Sequence, residues 1–165
     1  MNKKLILTLL LLIMTLFSGC SFSSESDCVE HNSSPYVQQK NISTRILSML
    51  ISRDSDGLYN MFSLYKRETT DISAQIEELF KNYDFSEYDI ERANYNCVNG
   101  EQSIRDGRIV YLTLSDNIKK IYDNEGIEYR ISYYYIITDC DEPEKEGLVG
   151  ITIIRVNDKS RFDVD

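Results

Sequence analysis

Twelve tyrosines and 27 acidic residues set against a single histidine narrow the chemistry open to this chain. His31 sits among serines and acids in "SDCVEHNSS". Imidazole acid–base catalysis in a folded pocket is therefore not expected, nor is a metal site built on histidine. Many acids and tyrosines leave a carboxylate base beside a tyrosine hydroxyl that stabilises an oxyanion conceivable. The run "IEYRISYYYIIT" places Ile127, Tyr129, Ile131, Tyr133, Tyr135 and Ile137 on one face of a strand. Tyr133 or Tyr135 could thus face an acid. The plainer reading is a core face on which each hydroxyl finds a partner. No catalytic residue is assigned, and the chain is read as leaning away from an enzyme.

Two acidic stretches resemble cation sites. "DSDG" at 54–57 is like the start of a calcium loop, but the twelfth position is Tyr65 where such a loop needs glutamate. Asp54 or Ser55 is better read as a helix cap. Asp139, Asp141, Glu142, Glu144 and Glu146 read as a solvated hairpin loop. No metal or cofactor is expected.

The elements that must position these groups are of two kinds. Ile42, Ile46, Met49 and Leu50 repeat at helical spacing and predict a first helix over 42–53. Leu58, Met61, Phe62 and Tyr65 predict a second, and Asp71 caps a third that carries Ile72, Ile76, Leu79, Phe80 and Tyr83. Strands follow: 87–98, a long one from Arg108 toward Tyr122 after an Asp106-Gly107 turn, 127–138, and 148–156. The reading is an α+β domain over 41–158, with three N-terminal helices on a curved four-stranded antiparallel sheet and a polar tail over 159–165.

The N-terminus carries an address. Lys3 and Lys4 precede a largely apolar run from Leu5 to Phe17, which as a helix spans ~20 Å, short of the ~30 Å hydrocarbon core. Residues 1–19 read as a signal peptide. "LFSGC" resembles the lipobox of bacterial lipoproteins, which makes Cys20 the site of a diacylglyceryl anchor. Ordinary secretion with cleavage near Gly19 is the alternative. Residues 20–40 are then the lipidated cysteine and a flexible tether. The chain is expected on the outer face of the cell membrane.

Residues 20–165 carry 16 basic and 27 acidic residues, a net charge of −11, which excludes nucleic acid as a partner. Cys28, Cys97 and Cys140 match no metal spacing. An exported location permits a disulfide. Cys97 and Cys140 are the preferred pair, with free thiols as the alternative.

"ISRDSDGLYNMFSLYKRE", "DISAQIEELFKNYD", "SIRDGRI" and "YRISYYYIITDCDEPEKEGLVGITI" together resemble a family of small Gram-positive lipoproteins, domain of unknown function 5104, over about residues 41–156. The resemblance implies the cone fold of nuclear transport factor 2, also called SnoaL-like, and no established activity. The expectation is a non-catalytic domain that binds a small molecule or an envelope protein. Phe62, Tyr95, Tyr133 and Tyr135 are the candidate pocket lining. A homodimer through the sheet, or less readily a Tyr/Asp isomerase, is the alternative.

Overall fold

A computed structural model describes residues 34–85, 94–123 and 125–165, with 94–99 as backbone alone. Cys20, Cys28 and His31 lie outside the described residues, as do the side chains of Tyr95 and Cys97.

Helix α1 runs Pro35–Ser52, so residues 35–40, expected in the tether, are helical. Ser34 accepts the Val37 N–H at 3.4 Å, and Pro35 suits a first turn that has no use for its missing donor. The polar run Gln38-Gln39-Lys40 hid this start, although Gln39 is buried. The helix ends at Arg53, whose φ is 55°, and the Arg53 guanidinium bonds the Phe80 carbonyl and lies 5.3 Å over the Phe80 ring.

The expected second helix is two, α2 (Ser55–Met61) and α3 (Leu64–Thr69). Between them Phe62 bridges to Leu148, and the Ser63 N–H donates to the Leu148 carbonyl at 3.0 Å. A strand contact thus interrupts the helical pattern. Helix α4 (Ile72–Asn82) buries Ile72, Ile76, Leu79 and Phe80 at the predicted spacing. Asp71 caps α4 as predicted, accepting Ala74 N at 3.1 Å, and of the two expected caps of α2 it is Asp54 that serves, accepting Gly57 N at 2.8 Å.

The sheet follows: β1 (Asn94–Asn99), β2 (Gln102–Arg105), β3 (Arg108–Tyr122), β4 (Glu128–Asp139), β5 (Gly147–Arg155) and β6 (Arg161–Val164). All pairings are antiparallel in the order β1-β3-β4-β5-β6, and β2 continues along the β3 edge that β1 leaves. At the break, a Cβ on Gly100 would run into the Thr113 carbonyl oxygen.

The sheet therefore exceeds the four strands predicted. The tail read as polar supplies β6, because Phe162 packs on the core, Val164 is fully buried and Thr152 donates to Asp163 at 2.6 Å.

The helices cover one face. Asp116, Tyr133, Ile151 and Val164 are paired across four strands, and the next such row is Ile118, Ile131, Ile153 and Phe162. Both rows point into the core with Ile46, Leu50, Leu58 and Leu79. Ser115, Tyr134 and Gly150, with Asn117, Ser132, Thr152 and Asp163, form the alternating outer rows.

Candidate functional site

Alternation along β3 puts Leu114, Asp116 and Ile118 inward, so one carboxylate occupies an apolar position. Its direct cross-strand partner is Tyr133. Above the pair stands Ser43, on the α1 face that also carries Ile42 and Ile46. The Ser43 hydroxyl donates to Asp116 Oδ2 at 2.8 Å and lies 2.8 Å from the Tyr133 hydroxyl. With its one proton directed at the carboxylate, Ser43 accepts from Tyr133, which also points at the Gln39 carbonyl at 3.2 Å. Asp116 Oδ1 accepts the Asn117 N–H at 2.6 Å.

Ser43 is fully buried, Gln39 and Tyr133 are 3% exposed and Asp116 is 5% exposed. This is a tyrosine facing an acid, as the strand pattern allowed. Both oxygens of the acid and the single phenolic proton are already used. The arrangement pins α1 to the sheet.

Of the other predicted lining residues, the side chains of Phe62 and Tyr135 are described. Phe62 is buried against Leu148 in the core. Tyr135 is partly buried beyond an irregularity in the β4–β5 register. Burial raises its phenol pKa, the positive charge of Arg45 opposes that and Glu146 reinforces it. Past that irregularity Ile136 and Thr138 become the buried positions, so the alternation read over the whole strand holds only up to Tyr133.

The carboxylates of the acidic turn hold backbone N–H groups and neighbouring cations. Asp139 Oδ1 accepts the N–H groups of Asp141 at 3.2 Å and Glu142 at 3.0 Å, and Glu146 Oε1 accepts that of Asp139 at 2.9 Å. Asp141 pairs with Arg105 at 3.2 Å and Glu142 with Lys145 at 2.6 Å. Among the described residues no group of three or more His, Cys, Asp or Glu is arranged around a metal position, and no helix is long and apolar enough to cross a membrane.

Cys140 is disulfide-bonded. The side chain of Cys97, its expected partner, lies outside the described residues.

The outer sheet face is open by contrast. The hydroxyls of Tyr111 and Tyr134 lie 3.3 Å apart there, and Tyr134 is 36% exposed. That contact, followed by desolvation, pushes the Tyr111 pKa up to about 12. Where β6 stops opposite Ile151, a groove of about 340 Å³ opens, lined in part by Lys66, Ser132, Tyr134, Gly150, Thr152 and Arg161.

The family model described as "Domain of unknown function (DUF5104)" matches residues 45–156. The chain belongs to this family. The matched span runs from within α1 to the residue after β5, so it includes Asp116, Tyr133 and the outer rows of β3, β4 and β5. Ser43 and β6 lie outside it. A search of curated proteins finds no match.

Sequence reasoning passed over Ser43, Gln39 and Asp116. The signal for Asp116 was present, since it interrupts "LTLSDNI" at an inward position. Nothing marked Ser43, because one serine on an apolar helix face is common.

Proposed function

We propose that the protein is a lipid-anchored, extracytoplasmic, non-catalytic binding domain of the nuclear-transport-factor-2 type, whose outer sheet face receives an envelope protein. The diacylglyceryl group on Cys20 is the membrane attachment. The observation that carries the reading is a contrast between the two sheet faces. On the inner face Tyr133 and Asp116 are buried and hydrogen-bonded to Ser43, Gln39 and Asn117. On the outer face Tyr134 stands exposed amid small polar neighbours, Ser115, Ser132, Gly150 and Thr152. A half-exposed tyrosine over such a surface is the side chain that protein interfaces favour.

A second reading rests on the groove, whose volume falls at the low end of small-ligand sites. A thermal-shift panel of small polar compounds separates the two. The proposal predicts no class-specific stabilisation. A gain from one compound class that is lost in Thr152→Arg would transfer the function to the groove, because a ligand bound only to the native state stabilises it.

A further inference from the structure

Residues 20–165 sum to a net charge of −11, yet one end of the outer sheet face gathers cations. Arg130 on β4, Ile154 on β5 and Arg161 on β6 are paired in one cross-strand row. Lys119 follows the inward Ile118 on β3, so alternation turns it to the same face, where it is partly buried. The row thus crosses three strand spacings, ~14 Å.

Two carboxylates answer these three cations. Glu128 lies 3.6 Å from Arg130, and Asp163 lies 2.8 Å from Arg161. Both contacts are made at Nε, the inner nitrogen of the guanidinium. Each arginine is therefore oriented by a neighbour that does not use its terminal N–H groups. Asp163 is fixed in turn by the Thr152 hydroxyl at 2.6 Å. The groove that Tyr134 and Arg161 share adds Lys66 and Asp165, whose charges balance. Tyr134 lies four residues from Arg130 along β4, ~13 Å, so one partner segment can touch both.

We propose that the segment received by this face is acidic, with its carboxylates on the Arg130–Arg161 row and its apolar contact on Tyr134. The inference rests on the outer-face reading above and adds the partner's chemistry to it. An arginine fork meets a carboxylate through two parallel hydrogen bonds, which places the segment as well as attracting it. The acidic surface elsewhere, with Glu77 and Glu78 on α4 and Asp141, Glu142 and Glu144 in the acidic turn, repels such a partner and leaves the row as its landing point.

The test uses the full chain in its own membrane, with a benzophenone side chain replacing Tyr134 or, separately, Ile154 in the middle of the row. The expected result is a protein adduct from both positions, and a crosslinked partner peptide with more Asp and Glu than Lys and Arg. Arg130→Glu with Arg161→Glu should cut the yield from position 134 about tenfold or more, because like charges then face each other. Arg130→Lys with Arg161→Lys should keep most of it. Without any substitution, raising salt from about 0.15 M to 1 M shortens the screening length from ~8 Å to ~3 Å and should lower the yield severalfold. A position-134 adduct indifferent to charge reversal and salt, no adduct from position 154, or a partner peptide without excess acid overturns the acidic segment and leaves the outer-face reading standing. No adduct from position 134 in the otherwise unchanged chain, or one that resists protease, overturns both.

Discussion

Ser43 on the first helix and Asp116 in the middle of β3 are joined by a 2.8 Å hydrogen bond, although 73 residues separate them. The bond is buried and continues to Tyr133, so three polar groups replace apolar contacts where helix meets sheet. Burial makes such a network sensitive to removal of any one member.

Ser43→Ala removes the proton that Asp116 Oδ2 accepts and the oxygen that Tyr133 addresses. We expect a loss of about 1–3 kcal/mol, the cost of leaving a buried polar group unmet. In a double-mutant cycle with Tyr133→Phe, urea melts should give a combined cost below the sum by ~0.5 kcal/mol or more. Additive effects would mean the two hydroxyls act independently.

Glycine substitutions should separate close approach from backbone sign. At Gly107 φ is +77° and nothing lies within 4 Å of an added Cβ, so alanine should cost about 1 kcal/mol through conformation alone. At Gly147, φ is +126° and the Cβ would lie 2.9 Å from Ser63 Cα, so the Phe62–Leu148 bridge must shift as well. Gly147→Ala should therefore destabilise more than Gly107→Ala in parallel thermal melts. Equal losses would show that the Ser63 approach is unconstrained.

Asp71→Ala should cost about 1 kcal/mol, because the Ala74 N–H at the start of α4 loses its acceptor. Asp71→Asn should restore most of that stability, since the amide oxygen can accept the same bond. Equal losses in the two variants would remove the cap from the account.

The elements carried by strong periodicity were legible in the sequence: α4 with its Asp71 cap, the Asp106-Gly107 turn with both φ values positive, and the long β3. Three features were not, for physical reasons. The α1 start is polar, and its stability comes from the Ser34 cap and from burial of Gln39, which residue type does not announce. The break between α2 and α3 is set by Leu148, 86 residues beyond Phe62. β6 carries only two inward residues, Phe162 and Val164, and needs β5 to make them a strand. At the candidate site, Tyr133 was singled out but its partners were not, since pairing of an inward acid with a helix serine is a tertiary event.

Tyr111 offers a pH signature. Its folded pKa of about 12 lies above the ordinary value of 10.0, first because of the Tyr134 hydrogen bond. A raised pKa means the native state favours the protonated phenol. The associated stability is complete below pH 10 and is lost as pH climbs toward 12. Phenolate absorbance should show a component titrating above the ordinary tyrosine range, and Tyr134→Phe should lower its midpoint. An unchanged midpoint would show that the hydroxyl pair is not the cause.

The most direct measurement on the central claim is site-specific photo-crosslinking in intact membranes. A benzophenone side chain would replace Tyr134 on the outer face in one variant and Glu77 on α4 in another. The account predicts one discrete protein adduct from position 134, absent from position 77 and abolished by adding Thr152→Arg beside it. Equal labelling from both positions, or an adduct indifferent to Thr152→Arg, would contradict the assignment of binding to the outer sheet face.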